Sequence, residues 1–360
     1  MVDERSNETM RNVHLSVLNR AAKRLLQTAG LAIGAMALIA GLSTSPRANA
    51  AASAPKAYVG LFKDNAVAVI DTISNKVLST IPVPTGPHGL VISPDGRTVY
   101  VSSDGDSKVS VIDTTTDAVT ATIEVGKTPH GLAITPDGKQ ILVAGFGTGM
   151  VSFIDTATNT VSGQIAVANP HNIAISPDGK TAYVASQKKD GAALVQLNLT
   201  DKSQTASVAL DNPPRALNFS PDGKTLYFTL ANVTSVQVFD PSTNKITAQV
   251  PVGASPHHPL FTTNGKFGLV VSQTTNEQNL IDPTTNTVSS VIAVGKMPHW
   301  IALSADNLTA YVTDEMSNDV SVVDLTQHKV IATIAVGQAP RKIVVQHLGL
   351  AAVATPAATP

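Results

Sequence analysis

The stretch Pro87 to Val125, PHGLVISPDGRTVYVSSDGDSKVSVIDTTTDAVTATIEV, reads as four short strands separated by turns. Leu90 to Ile92 is a short apolar strand. It runs into Ser93-Pro94-Asp95-Gly96, which has Pro at the second turn position and Gly at the fourth, as a type I turn prefers. Thr98 to Ser102 forms the second strand and, after the loop Ser103 to Ser107, Val109 to Ile112 forms the third. The turn Asp113 to Asp117 then feeds a fourth strand, Val119 to Val125. Short β-branched runs bounded by turn residues are the pattern of strands rather than helices.

The same unit recurs along the chain. A Pro-His or Pro-Arg step precedes an apolar strand at His88, His130, His171, Arg215, His257, His299 and Arg341, at intervals of 42, 41, 44, 42, 42 and 42 residues. A period of this length filled by strands is the signature of a four-stranded propeller blade. The type I turn repeats at Thr135-Pro136-Asp137-Gly138, Ser176-Pro177-Asp178-Gly179 and Ser220-Pro221-Asp222-Gly223, then decays to Thr263-Asn264-Gly265 and Ala305-Asp306-Asn307. The two ends complete the count: Lys342 to Gln346 reads as a first strand with no blade behind it, and Ala57 to Ile81 as second, third and fourth strands with no first. Pairing them closes the ring and removes the exposed sheet edges. The expectation is all-β, one seven-bladed propeller over 51–347, followed by a disordered Ala/Thr/Pro tail over 348–360.

Tyr100-Val101-Ser102, Tyr183-Val184-Ala185, Tyr311-Val312-Thr313 and the Ile-Asp-Thr-x-Thr-Asn turns resemble the YVTN family of bacterial, exported β-propeller repeats. The resemblance covers Lys56 to about Gln346. WD40 propellers match less well, since the chain has no Trp-Asp pair and a single tryptophan, Trp300. Repeats similar to YVTN occur in surface-layer proteins, in periplasmic proteins, and in propellers related to lactonases and redox-enzyme subunits. The resemblance therefore implies a fold more than an activity.

The first fifty residues read as a secretory signal. Arg11, Arg20, Lys23 and Arg24 precede the apolar run Ala29 to Leu42, and Ala48-Asn49-Ala50 supplies a small-x-small cleavage site, with either Met1 or Met10 as the start. The apolar run is shorter than the roughly 20 residues a spanning helix needs, so no membrane span is expected in the mature chain. Periplasmic or secreted is the expected location, and monomer the expected state. Removal of residues 1–50 leaves 19 Lys/Arg and 23 Asp/Glu, a net charge of −4, which argues against a nucleic-acid partner. The chain has no cysteine, which excludes disulfides, a thiolate nucleophile and Cys-ligated metal.

No catalytic residue stands out. Asp71, Asp113, Asp155, Asp240, Asp282 and Asp324 close third strands, where a carboxylate accepts hydrogen bonds from the amides of the following turn, and Asp95, Asp137, Asp178 and Asp222 lie in type I turns. Gly-x-Ser-x-Gly, His-Glu-x-x-His and phosphate-loop motifs are missing, and Gly145-Phe146-Gly147-Thr148-Gly149 is read as a hairpin loop. Histidine carries the functional signal. His88, His130, His171, His257, His258 and His299 sit at or beside one repeat position, with Arg215 and Arg341 in the two remaining places, so these residues should ring one mouth of the central channel and make it basic.

Two readings stay open: a packing device bonded to the neighbouring blade, or a site for a transition metal, zinc or copper, or for an anionic ligand. Nitrous-oxide reductase gathers histidines on a related propeller to hold copper, but the cysteines of its second copper domain have no counterpart here. The residues after the repeated position, Gly89, Gly131, Asn172, Ala216, His258, Trp300 and Lys342, depart most from uniformity in the fifth to seventh units. His257, His258 and His299 are the expected metal ligands, with Trp300 as a stacking surface. The function expected is an exported scaffold binding a protein partner or small ligand at the histidine-lined mouth. The alternative is a lactonase- or lyase-like propeller enzyme, or a subunit of a periplasmic oxidoreductase.

Overall fold

The structure is a computed structural model that describes residues 54–347. The signal expected over 1–50 and the tail expected over 348–360 lie outside the described residues. Twenty-eight strands form seven four-stranded antiparallel sheets, and the innermost strands contact one another in order all the way round. Blades are numbered here from Pro87, so the first comprises Pro87–Ile92, Thr98–Ser103, Lys108–Asp113 and Ala118–Glu124. The seventh is the shared one, with Pro340–Val345 paired to Lys56–Leu61 and then Ala66–Asp71 and Lys76–Pro82.

That closure is a regular antiparallel pairing. Ala57 opposes Val345, Tyr58 opposes Val344 and Val59 opposes Ile343, and the Gln346 N–H donates to the Lys56 carbonyl at 2.8 Å. The closing blade is also fastened to the first one: Gln346 Nε2 donates to the Gly96 carbonyl at 2.8 Å, and Lys56 Nζ meets Asp117 at 2.7 Å. Strand composition follows position in the blade. Second strands such as Thr98–Ser103 are buried on both faces and read as continuous apolar runs, whereas fourth strands such as Ala118–Glu124 face outward and are largely exposed. Apolar clusters lie between blades; Phe153 and Leu142 of the second blade, for example, pack with Val184 and Leu197 of the third.

Two recurrent residues of the repeat explain themselves at this level. The repeat tyrosine reaches across to the outer turn of the next blade: Tyr58 donates to Asp117, Tyr183 to Asn244 and Tyr227 to Asn286. Those acceptors have φ of 51°, 55° and 54°, a left-handed conformation that Asn and Asp tolerate better than other non-Gly residues. The strand-closing aspartates have the turn role expected of them. Asp113 Oδ1 accepts the amides of Thr115 and Thr116 at 2.8 and 2.9 Å, and the bond from Thr116 chiefly lowers its pKa. Gly145–Gly149 forms a hairpin connection between Gln140–Gly145 and Met150–Asp155, as read.

Candidate functional site

Every innermost strand opens on proline. The pairing register with the second strand shifts across the next one or two residues, as between Pro87 and Gly89 or Pro256 and Pro259. A bulge of this kind re-aims side chains, and here it carries the repeated His/Arg position. Five imidazoles gather on the channel axis. Ring centroids are 3.7 Å apart for His88 and His130, 4.1 Å for His130 and His171, and 4.2 Å for His257 and His299. Across the group His88 lies 5.8 Å from His299 and 6.5 Å from His171.

The two arginines turn toward the loops instead. Arg215 Nη1 donates to Ser255 Oγ at 2.9 Å and Gln273 Oε1 at 3.0 Å. Arg341 donates to Glu315 Oε1 at 3.1 and 3.2 Å, with its guanidinium 3.5 Å from the centre of the Phe62 ring. The mouth is consequently less basic than the residue types suggest. Burial pushes the imidazole pKa of His88, His130, His257 and His299 well below the usual range, and that of His171 down to about 4, so all five are neutral at pH 7.

Backbone carbonyls decide which imidazoles are engaged. His130 Nδ1 bonds the His171 carbonyl at 3.2 Å, His171 Nδ1 the Arg215 carbonyl at 2.8 Å, and His257 Nδ1 the His299 carbonyl at 3.0 Å. A carbonyl only accepts, so the Nδ1 atoms of His130 and His257 carry the proton; His171 Nδ1 also lies 3.0 Å from Asn172 Nδ2, an amide donor that itself bonds the Arg215 carbonyl at 2.9 Å. In three of the other four blades a second-strand hydroxyl takes the equivalent carbonyl: Ser102 that of His130, Thr229 that of His257 and Thr313 that of Arg341, while the seventh has Gly60 at that register. The engaged histidines belong to blades with Ala144, Ala185 or Val271 at that register, which have no hydroxyl to offer. Two histidines lose the competition. His88 and His299, 4% and 5% exposed, each keep a buried Nδ1 with no partner.

The three imidazoles expected to converge on a metal do not. His257 and His299 are neighbours, but the next position along the strand carries His258 to the following layer, where its ring stacks on Trp300 at 3.5 Å and 15°. Its Nδ1 there accepts the Ile301 N–H at 3.3 Å, while His257 Nδ1 is spent on the His299 carbonyl. Among the described residues no group of three or more His, Asp or Glu side chains is disposed to hold a metal ion. The pair whose Nδ1 atoms are buried without a partner is His88 and His299.

The layer holding His258 and Trp300 contains a residue that sequence reasoning noted only as irregular. Lys342 is 2% exposed, with Nζ 3.1 Å from Asn172 Oδ1 and 4.1 Å from the centre of the Trp300 ring. Below it the channel widens into a cavity of about 540 Å³ lined by apolar side chains such as Leu90, Leu132, Ile173, Leu217, Ile301 and Ile343. Asp314 was also missed. It is fully buried at the end of the second strand of the sixth blade, and burial raises its carboxyl pKa to about 8. The available signal was register: the other blades place Ser103, Gly145, Ser186, Leu230, Ser272 and Leu61 there.

Residues 97–265 are similar to the Choice-of-anchor I domain. No curated protein matches the chain in sequence. Among solved structures, a chain of the hydrazine synthase of Kuenenia stuttgartiensis is similar with a TM-score of 0.69 and 20% identity, over 74% of this chain and 91% of that one. A functionally unknown protein from Desulfotomaculum acetoxidans aligns with a TM-score of 0.71 and 16% identity, over 82% and 99% of the two chains. Apo AztD from Citrobacter koseri aligns with a TM-score of 0.60 and 17% identity, over 81% and 97%. These likenesses bear on the fold: the chain is a propeller repeat protein.

Proposed function

We propose that this chain is an exported binding propeller of the YVTN-like type that receives a small ligand or ion on its axis, at the histidine-lined mouth. The observation that carries this reading is the unpartnered, buried Nδ1 of both His88 and His299 on rings 5.8 Å apart. A buried polar atom left without a partner costs about 1–3 kcal/mol, and a bound species that engages both nitrogens removes that cost. Neutral imidazoles suit zinc or copper. Arg341 and Arg215 border the mouth, His130, His171 and His257 hold its walls, Trp300 and His258 lie one layer deeper, and the outer rim is available to a protein partner. Export is supported by the basic, apolar and small-residue segments of 1–50, and the mature chain should begin at Ala51 by mass spectrometry.

Adding Zn²⁺ or Cu²⁺ to the metal-free mature protein tests the site. The expected result is a rise in melting temperature that disappears in the double variant His88→Phe with His299→Phe and persists in His130→Phe. A rise that survives the double variant, or no rise at all, contradicts the reading. A second reading, a subunit of an oxidoreductase, is favoured by the 91% coverage of a hydrazine synthase chain. It requires copurification with a larger redox partner from the native host.

A further inference from the structure

The second chamber of the channel lies beyond the Lys342 layer and opens on the opposite face, between turns that include Pro177, Pro221 and Thr263. Its size, about 540 Å³, is in the range of small-molecule sites. Its walls are mainly apolar, with Asn218, Ser220, Thr263 and His347 among them, and its lining contains no Asp or Glu, yet its floor carries the Lys342 side chain. That group has an amide oxygen and an aromatic face as neighbours, and no described carboxylate forms an ion pair with it. A buried cation without an anion is costly, and proteins ordinarily pair it. Here the fold keeps the cation and leaves space in front of it. Burial holds the Lys342 pKa down to about 7, and an anion in the cavity would restore the charged form.

We propose that this cavity is a second binding site, distinct from the histidine mouth, for an amphiphile with an apolar body and a single carboxylate that pairs with Lys342 Nζ. The walls take the hydrocarbon, the Lys342 ammonium and the Asn172 side chain meet the head group, and Trp300 reports the event. Trp300 is the only tryptophan in the sequence, with Lys342 Nζ 4.1 Å from its ring centre and the His258 ring stacked on it at 3.5 Å. Occupancy therefore changes the fluorescence of one identified residue.

The experiment is a fluorescence titration of the mature protein with decanoate, decanol and decyltrimethylammonium, each below its micellar concentration. Decanoate should bind at least about tenfold more tightly than either of the others, the contribution expected of one charge-assisted pair. Lys342→Met should remove that preference while leaving decanol binding in place, and Lys342→Arg should largely keep it. Equal affinity for the three probes in the wild type overturns the proposal without recourse to a variant. So does a carboxylate preference that persists in Lys342→Met. Deleting residues 348–360 should leave decanoate affinity within about threefold; an increase beyond about tenfold would mean that the chain's own end occupies the cavity, and would also overturn the proposal. The His88→Phe with His299→Phe variant should bind decanoate normally, so failure here and failure at the histidine mouth are separable.

Discussion

The same seven innermost strands build both ends of the axial channel, and they build them differently. Where the strands begin, a proline and a bulge turn five imidazoles inward until their rings lie about 4 Å from their neighbours, and three of the five are bonded to backbone carbonyls of the next blade. Where the strands end, Ile92, Ile134, Ile175 and Leu303 face a cavity with space to spare. The polar end has spent most of its Nδ1 atoms on the scaffold, and the two left buried without a partner are those of His88 and His299. The apolar end has kept its volume, and a single ammonium gives it selectivity. A residue type that advertises chemistry in the sequence is thus largely structural, and the less conspicuous half of the channel holds the room.

The largest expected effect removes both ends at once. Arg341 and Lys342 lie on the strand that closes the ring, so a chain ending at Arg341 loses the innermost strand of the seventh blade and the Gln346 bonds to the first. Equilibrium unfolding should show loss of the cooperative native state, whereas a chain ending at residue 347 should unfold like the intact one. Equal stability of all three would mean that the ring does not depend on closure.

Next comes pH, which separates the two ends by window. His88, His130, His171, His257, His258 and His299 have folded-state pKa values below the unfolded value of about 6.5. Below that pH the unfolded chain binds more protons than the folded one, so stability falls on acidification and keeps falling to the folded values, which for His171 is about 4. His171 alone contributes on the order of 3 kcal/mol to this loss. Lys342 has the same sign in an alkaline window: with a folded pKa of about 7, stability falls as pH drops from about 10.5 toward 7. Lys342→Met should flatten the alkaline limb and only soften the acid limb, because burial is the first cause of the depressed imidazole pKa values and the Lys342 charge a lesser one. Chemical denaturation at intervals from pH 4 to pH 10 measures both limbs.

A smaller effect distinguishes engaged from unengaged imidazoles. His130→Phe strands the His171 carbonyl in a buried site and should cost roughly 1–3 kcal/mol, whereas His88→Phe removes an atom that had no partner and should be neutral or stabilising. Similar losses for the two would erase the distinction. The smallest expected effect is Ser102→Ala. Removing the hydroxyl frees the His130 carbonyl, which the His88 imidazole can then take, as its counterparts do beside Ala144 and Ala185. Stability should fall by about 1 kcal/mol, because the buried Gly89 N–H loses Ser102 Oγ as its acceptor while the carbonyl gains a new donor, and the metal-induced rise in melting temperature should shrink.

The fold was legible because the repeat states it several times. The Pro-His step, the type I turn and the third-strand aspartate each recur at blade spacing, and the partial units at the two ends could pair only with each other. The histidine position was legible for the same reason. Which histidines are free was not, because that depends on a hydroxyl or its absence on a different strand, at Ser102, Ala144, Ala185, Thr229, Val271 and Thr313, and on the competition for one carbonyl. The convergence of His257, His258 and His299 failed on strand geometry: successive residues of a bulged strand occupy different layers of the channel. Lys342 showed in the sequence only as one of the departures from uniformity after the repeated position, and the cavity in front of it follows from the size of side chains from all seven blades at once, which no single repeat reveals.

The most direct test of the account is a long-range ¹H–¹⁵N spectrum of the histidine side chains in the mature protein, recorded from pH 5 to pH 8 and again with added Zn²⁺. Five channel imidazoles should stay neutral across this range, with His130 and His257 locked as Nδ1–H tautomers, His130, His171 and His257 unmoved by the metal, and Nδ1 shifts confined to His88 and His299. Titration of the five near pH 6.5, or a metal response that falls on the three engaged rings, would contradict it.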